Sequence, residues 1–486
     1  MQYVVAIDAG TTGVRSRAVF PDGGETIAAY LEFTQHFPQP GWVEHDANEI
    51  WNAALATLTE VIARVGSTPT AIGITNQRET VVAWDRTDGR VLGPAIVWQD
   101  RRTSARCIEL APHLDLVRHT TGLVLDPYFS GTKIEWMLAN GVEPTPNLAF
   151  GTIDTWLLWK LTGGEVFATD ESNASRTMLY DIRNRHWSTE MCDLLGVPLH
   201  SLPDVRDSSS RFGVTRCDGV PTGIPISGVA GDQQAALFGQ ACCEPGDTKN
   251  TYGTGSFVLM NVGQHCPAPT NGMLTTIAWR IDGVTTYAVE GAIFVTGAAV
   301  QWLRDGLGII RTSGDVEKLA STATDSGGVV FVPALTGLGS PWWDADARGA
   351  IFGITRGTTA AHLALATIES MAFQSRDVIA AMSAATGVAV RTLRVDGGAA
   401  SNDRLMQMQA DQLGISVERP VDRETTALGA AYLAGLAEGV WPDLAAIAAA
   451  RCVERTFEPN AEMKPFADAA HDQWLAALRR VTQHAQ

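Results

Sequence analysis

The sequence predicts an α/β protein made of two similarly built halves, residues 1–245 and 246–486. Three observations carry that prediction. A short glycine-threonine turn between strand-like segments occurs near residue 10 and again near residue 254. Strands alternate with helical stretches, the pattern of an α/β protein. Glu244-Pro245-Gly246, between the two turns, is a breaker signal at a natural boundary.

Taken in order, Tyr3–Ile7 reads as a strand and Gly10-Thr11-Thr12-Gly13 as a turn. Arg17–Phe20 returns before a turn at Asp22-Gly23-Gly24, which makes an antiparallel meander. A helix is expected from near Ala47, then a short buried strand, Ala71–Ile74, ending in Thr75-Asn76-Gln77-Arg78-Glu79. Ile224–Ala230 is an apolar strand, and Gly231-Asp232-Gln233-Gln234 leads into a helical run from Ala235. Asp247–Tyr252 passes through Gly253-Thr254-Gly255 into the apolar Phe257–Met260, and Asp282-Gly283 marks a hairpin. Thr359–Met382 carries Leu363, Ile368, Met371 and Val378 as a helical stripe, with Thr358 or Thr359 as cap. Leu393–Val395 is a strand, Asp396-Gly397-Gly398 a turn, and Ser401 the expected cap of the next helix. The small residues of Ala427–Gly435 suit a helix packed closely on a sheet.

Hydrophobic residues at 45% against 18% charged exclude a disordered chain, and 486 residues can bury a large core. The net charge of −17 repels nucleic-acid backbones and anionic lipid, so neither partner is expected. The seven cysteines form no Cys-x-x-Cys pair and are expected to be reduced core residues. No basic segment precedes Asp8, and the longest uncharged stretch, Gly327–Trp343, is broken by prolines and glycines. Neither a signal peptide nor a membrane span is therefore expected, and the expected location is the cytoplasm.

Several segments carry chemistry. Asp8 to Arg15 places an acid at a strand end, then small residues whose amides can approach an anion, then a cation. Thr11 and Thr12 add hydroxyl donors, and Asp8 could hold Mg2+; the bland alternative is a tight hairpin with an exposed arginine. No Gly-Lys-Ser or Gly-Lys-Thr is present at Walker spacing. Tyr252-Gly253-Thr254-Gly255-Ser256 repeats the donor-rich turn, and two such turns suit phosphates held between two domains. Asp232 follows a strand where α/β proteins place ligands, although Asp is also a favoured helix cap. Arg78 and Glu79 together can donate to and accept from a polyol, each of whose hydroxyls does both. As a surface ion pair they would contribute under about 1 kcal/mol. Trp98 offers an aromatic face at a strand end, for which core packing is the default account.

Taken together, Pro40–Asp46, Thr75–Thr80, Ile96–Gln99, Asp126–Ser130, Asn173–Met178, Ser227–Gln234, Asn250–Gly255 and Val395–Gly398 resemble the FGGY family of carbohydrate kinases, and within it the branch acting on glycerol. The resemblance implies two actin-like (ribonuclease H-like) α/β domains flanking a deep cleft that holds ATP, Mg2+ and glycerol. It implies ATP-dependent phosphorylation of glycerol, the first step of glycerol catabolism, by a homodimer or homotetramer. Carried over residue by residue, Arg78, Glu79, Tyr128, Asp232 and Gln233 would hydrogen-bond glycerol, while Trp98 and Phe257 would pack on its carbon chain. Asp232 would be the general base. Thr11, Thr12, Gly13, Arg15 and Thr254 would form the phosphate site, Gly297, Gln301, Gly398 and Asn402 would line the rest of the nucleotide site, and Asp8 would organise the magnesium ion. Ala9 and Gly13-Val14 depart from the residues common in the family, which removes one hydroxyl contact to phosphate. The competing readings are another polyol or sugar kinase of the same fold, and a nucleotide-dependent protein of the actin and chaperone superfamily that phosphorylates no small molecule.

Overall fold

The computed structural model describes residues 2–23, 26–268 and 272–482. Its framework is a 13-stranded mixed sheet accompanied by four small sheets. In the first half an antiparallel meander, Val4–Ala9, Gly13–Val19 and Ile27–Glu32, is extended by the parallel strands Ala71–Asn76 and Pro225–Gly231 on the far side of the first strand. The second half repeats the plan. Thr248–Tyr252, Ser256–Gly263 and Val284–Ile293 run antiparallel, and Thr392–Asp396 and Ser416–Pro420 are added in parallel beside the first. The halves join in one sheet where Ser209 pairs with Ile281.

The predicted meander and the helix from Ala47 (Ala47–Val65) are therefore present, and Asp282 and Gly283, both at positive φ, turn the predicted hairpin. Gly24, the last residue of the expected turn after the second strand, lies outside the described residues. The opening strand is buried on both faces, which explains its nearly unbroken apolar run. Val5 and Ile7 face the core under helix Ala47–Val65, whereas Val4 and Ala6 face helix Thr425–Ala437.

That second helix is the Ala/Gly-rich segment, and its small residues are needed. A Cβ on Gly429 would lie 1.8 Å from the Ala235 carbonyl oxygen in helix Asp232–Gly239. Although it belongs to the second half, this helix covers the strands of the first half, because Ala430 and Ala434 approach Gly73 and Gly228.

Three expectations are corrected. Asn402, not Ser401, caps helix Asp403–Leu413: its side chain accepts from the Leu405 amide at 2.9 Å, and Ser401 closes a preceding 3-10 turn. Helix Ala360–Thr386 is capped by Thr359 and runs four residues beyond the expected end at Met382. The seven cysteines are unpaired, but only Cys107, Cys192 and Cys242 are buried, and Cys452 is exposed. No helix among the described residues is long and apolar enough to cross a membrane.

Candidate active site

Parallel strands carry their carboxyl ends to one edge, where α/β proteins bind ligands. In the first half, Asp8 lies in register with Thr75, and Asn76 with Gly231. The segments that follow therefore bring Arg78, Glu79 and Asp232 off neighbouring strands. Adjacent strand residues would face opposite sides, but here the chain leaves the sheet in a γ-turn. The Thr80 amide donates to the Arg78 carbonyl at 2.7 Å, with Glu79 at φ +61°. Gly231 lets the Arg78 side chain cross the neighbouring strand end, since a Cβ there would lie 2.7 Å from Arg78 Cγ.

Arg78 and Glu79 are fully buried, so the surface ion-pair account does not hold. Arg78 Nε lies 3.3 Å from Asp232 Oδ1 and 3.7 Å from Glu79 Oε1. Its two terminal nitrogens donate to Glu290 at 2.5 and 3.1 Å, and Nη2 also donates to the Tyr128 hydroxyl at 3.2 Å. Arg176 closes the ring, donating to Glu79 Oε1 at 2.7 Å and Glu290 Oε1 at 3.1 Å. The Trp98 ring meets Tyr128 edge to face at 5.6 Å, and its indole N–H donates to Thr11 Oγ1 at 3.0 Å. Gln233 accepts a hydrogen bond from Lys249 Nζ, and Phe257 stands opposite Thr251 in the adjoining ladder. Asp232 is the first residue of its helix, not the cap, which is Gly231.

Burial sets the electrostatics. It raises the Asp232 carboxyl, against the pull of Arg78 and Lys249. It raises Glu79 too, opposed by Arg78 and Arg176. At Glu290 burial is outweighed by Arg176 and Arg78, and the carboxyl is held down at about 2. Burial, with the Asp232 charge next, pushes Asp8 up to about 7.

Across the sheet, a cavity of about 280 Å3 opens over the second half. Thr254, Gly297, Gln301, Gly398 and Asn402 all line it, together with Glu317 and Ile368. The amides of Gly297 and Ala298, at the start of helix Gly297–Asp305, tie down the Gly253 and Thr254 carbonyls and so fix the second glycine turn. Thr11, Thr12, Gly13 and Arg15 do not line this cavity. They form the hairpin of the first half, from which Arg15 pairs with Glu424 of the second. Among the described residues no three His, Cys, Asp or Glu side chains gather as an all-protein metal cage.

Sequence reasoning missed Arg176, Lys249 and Glu290 as parts of the site. The signals were there: Arg176 lies inside the motif Asn173–Met178, Lys249 directly precedes Asn250–Gly255, and Glu290 is the one carboxylate in the buried, largely apolar run Tyr287–Ile293.

Residues 3–239 match the N-terminal domain of the FGGY family of carbohydrate kinases and residues 248–438 its C-terminal domain. The chain belongs to that family. Among its relatives, the glycerol kinase of Carboxydothermus hydrogenoformans is 53% identical over 99% of this chain and 98% of its own length, and glycerol kinase 2 of Pseudomonas aeruginosa is 53% identical over 99% and 97%. The crystal structure of Plasmodium falciparum glycerol kinase with ADP superposes with a TM-score of 0.93 at 33% identity, covering 99% of this chain and 98% of that one. A xylulose kinase of Lactobacillus acidophilus, 20% identical with a TM-score of 0.90 over 99% of both chains, shares the fold.

Proposed function

We propose that this chain transfers the γ-phosphoryl group of ATP to a terminal hydroxyl of glycerol, giving sn-glycerol 3-phosphate and ADP as the entry step of glycerol catabolism. The observation that carries the reading is the convergence of Asp232, Arg78, Glu79, Tyr128 and Trp98 on one point, beside the strand whose end forms the cavity-lining glycine turn. The identity to relatives named glycerol kinase supports the choice of substrate.

Glycerol would lie against Trp98 and Phe257, with its hydroxyls shared among Arg78, Glu79, Tyr128, Asp232 and Gln233. Buried charges that need a hydroxyl partner reject an analogue lacking it more strongly than a missing methylene could. Asp232 takes the proton of the attacking hydroxyl as the new O–P bond forms and the bond from the γ-phosphorus to the β-bridging oxygen breaks. The electron pair leaves with ADP. An Asp232 raised by burial is a better proton acceptor than an ordinary carboxylate. Transfer of this loose kind rests mostly on positioning and on donors to the phosphoryl oxygens, which the two glycine turns, Thr11, Thr12, Thr254 and Arg15 would supply. The nucleoside end would occupy the cavity over Gly297, Gln301, Gly398 and Asn402.

Asp8 fits a magnesium ion. Its carboxylate accepts no hydrogen bond among the described residues, the residue stands partly open at a strand end, and the carboxyl is raised by burial and by Asp232, so a cation there is favoured. One carboxylate with waters and phosphate oxygens is the donor set Mg2+ ordinarily takes. When bound, Mg2+ would neutralise phosphate charge. We assign residues 1–245 and 246–486 to the two lobes, a homodimer or homotetramer in the cytoplasm to the working enzyme, and small molecules alone to its substrates.

The deciding measurement is coupled ATP consumption with glycerol, xylulose, erythritol or no acceptor, with the product identified. Glycerol-dependent turnover supports the reading. Turnover with another polyol alone moves the protein elsewhere in its family, and hydrolysis indifferent to every acceptor removes the kinase assignment.

A further inference from the structure

Lys249 belongs to the second half, in strand Thr248–Tyr252, yet its side chain is wholly buried against the substrate side of the first half. Its ammonium donates to Gln233 Oε1 and, at 2.8 Å, to Thr251 Oγ1. A lysine ammonium has donors only. Whichever way the Gln233 amide would otherwise turn, the carbonyl end must face Lys249, and the NH2 end is left on the other side. Among the described residues nothing accepts from Gln233 Nε2. We propose that Lys249 is a positioning residue for the phosphoryl-transfer reaction: it locks the Gln233 amide so that it offers only N–H donors to the acceptor substrate.

The inference rests on the functional reading above and deepens it. An amide free to flip offers a polyol hydroxyl a donor in one pose and an acceptor in the other, and so discriminates poorly. A locked amide requires an oxygen acceptor at one place. Four residues after Lys249 the same strand enters the turn Gly253-Thr254-Gly255 that lines the nucleotide cavity. The residue that sets the acceptor-side amide and the turn that meets the nucleotide are thus held on one short rigid element. Burial lowers the Lys249 ammonium to about 8, and the charges facing it are Asp396, Asp232, Arg78 and Glu290. Desolvating a lysine is unfavourable unless its proton-bearing form has partners, which Gln233 and Thr251 provide.

A double-mutant cycle tests the lock in the full-length enzyme. Lys249→Met should raise the glycerol KM by about 10- to 100-fold while moving the ATP KM less than about threefold, and Lys249→Arg should recover most of the loss. Gln233→Ala should raise the glycerol KM similarly. In the combined Lys249→Met, Gln233→Ala variant the second change should add almost nothing, because coupled residues are non-additive. Additive effects would overturn the proposal, since a lysine that merely supports the fold weakens both backgrounds alike. If Lys249→Met does not fold, Gln233→Glu keeps the question open to an answer. It retains the Lys249 contact but replaces the donor by a carboxylate oxygen, so an unchanged glycerol KM overturns the lock. A wild-type chain without glycerol-dependent turnover removes the parent assignment and this one with it; additivity in an active wild type removes the lock alone.

Discussion

At the scale of single residues, the site depends on charges that would be costly if any one were left alone. Glu290 is held at about 2 by Arg176 and Arg78 against its burial, and both arginines depend on it in turn. Replacing one member of a buried pair costs about 3–5 kcal/mol because the partner's charge is stranded, so Glu290→Gln should lower stability by that order at pH 7. The sign with pH follows from the depressed carboxyl. Its contribution is fully present above the ordinary 4.5 of an unfolded glutamate and is lost as pH falls through about 2. Chemical denaturation of both proteins from pH 7 to pH 2.5 should show the difference shrinking over that window, and a difference that does not change with pH would contradict it. Asp232→Asn would remove the proposed base while keeping shape. Turnover should drop by about 100-fold or more with ATP affinity by calorimetry changed little, and retained turnover would take the base role from Asp232. Of these residues, Arg78, Glu79 and Asp232 were legible in the sequence because they sit at strand ends in distinctive motifs. Glu290 was not, because a lone carboxylate in the buried run Tyr287–Ile293 names no partner until the fold brings Arg78 and Arg176, 212 and 114 residues away in sequence, against it.

At the scale of elements, the packing of helix Thr425–Ala437 on helix Asp232–Gly239 determines where Asp232 stands. The Ala/Gly run announced a helix packed closely on a sheet, which it is, but neither that the strands belong to the first half nor that a second helix meets it. The structure puts Gly429 against the Ala235 carbonyl, three residues after Asp232, with no room for a Cβ. Gly429→Ala should cost about 1–3 kcal/mol by overpacking, and because the displaced backbone carries Asp232 it should lower kcat as well as the melting temperature. Full activity with a reduced melting temperature would show that the helix start tolerates the shift. The turn elements were the more readable ones: the Gly10–Gly13 and Gly253–Gly255 loops are fixed by local backbone bonds, Gly10 to Gly13 at 3.0 Å and Gly253 to Gly255 at 2.8 Å. The cap of helix Asp403–Leu413 was misplaced by one residue, since Ser401 and Asn402 are both good caps and only the 3-10 turn ahead of the helix makes the choice.

At the scale of the whole molecule, the two halves are joined by the continuous sheet, by the crossing helix and by the ion pairs Arg15 to Glu424 and Arg17 to Asp422. A nucleotide spanning both halves would add to these links and stabilise the folded chain by RT ln(1 + [L]/Kd), about 2.7 kcal/mol at a hundredfold excess over Kd. Gly398 gives a clean control. A Cβ there meets nothing within 4 Å, yet the residue lines the cavity. Gly398→Leu should therefore fold normally while losing most of the upward melting shift produced by ADP. A full shift in that variant would move the nucleoside out of this cavity.

By itself the sequence determined the α/β class, the repeated glycine-threonine turns, the family and the motifs that supply Arg78, Glu79, Trp98, Tyr128 and Asp232, because each is written in local periodicity or in a few contiguous residues. Only the tertiary structure decided that Glu290 and Lys249, from the second half, join Arg78, Glu79, Tyr128, Arg176, Asp232 and Gln233 of the first, and that a second-half helix roofs first-half strands. Those are long-range pairings of buried charge and of backbone against backbone, and their energy exists only once distant segments have excluded water from between them.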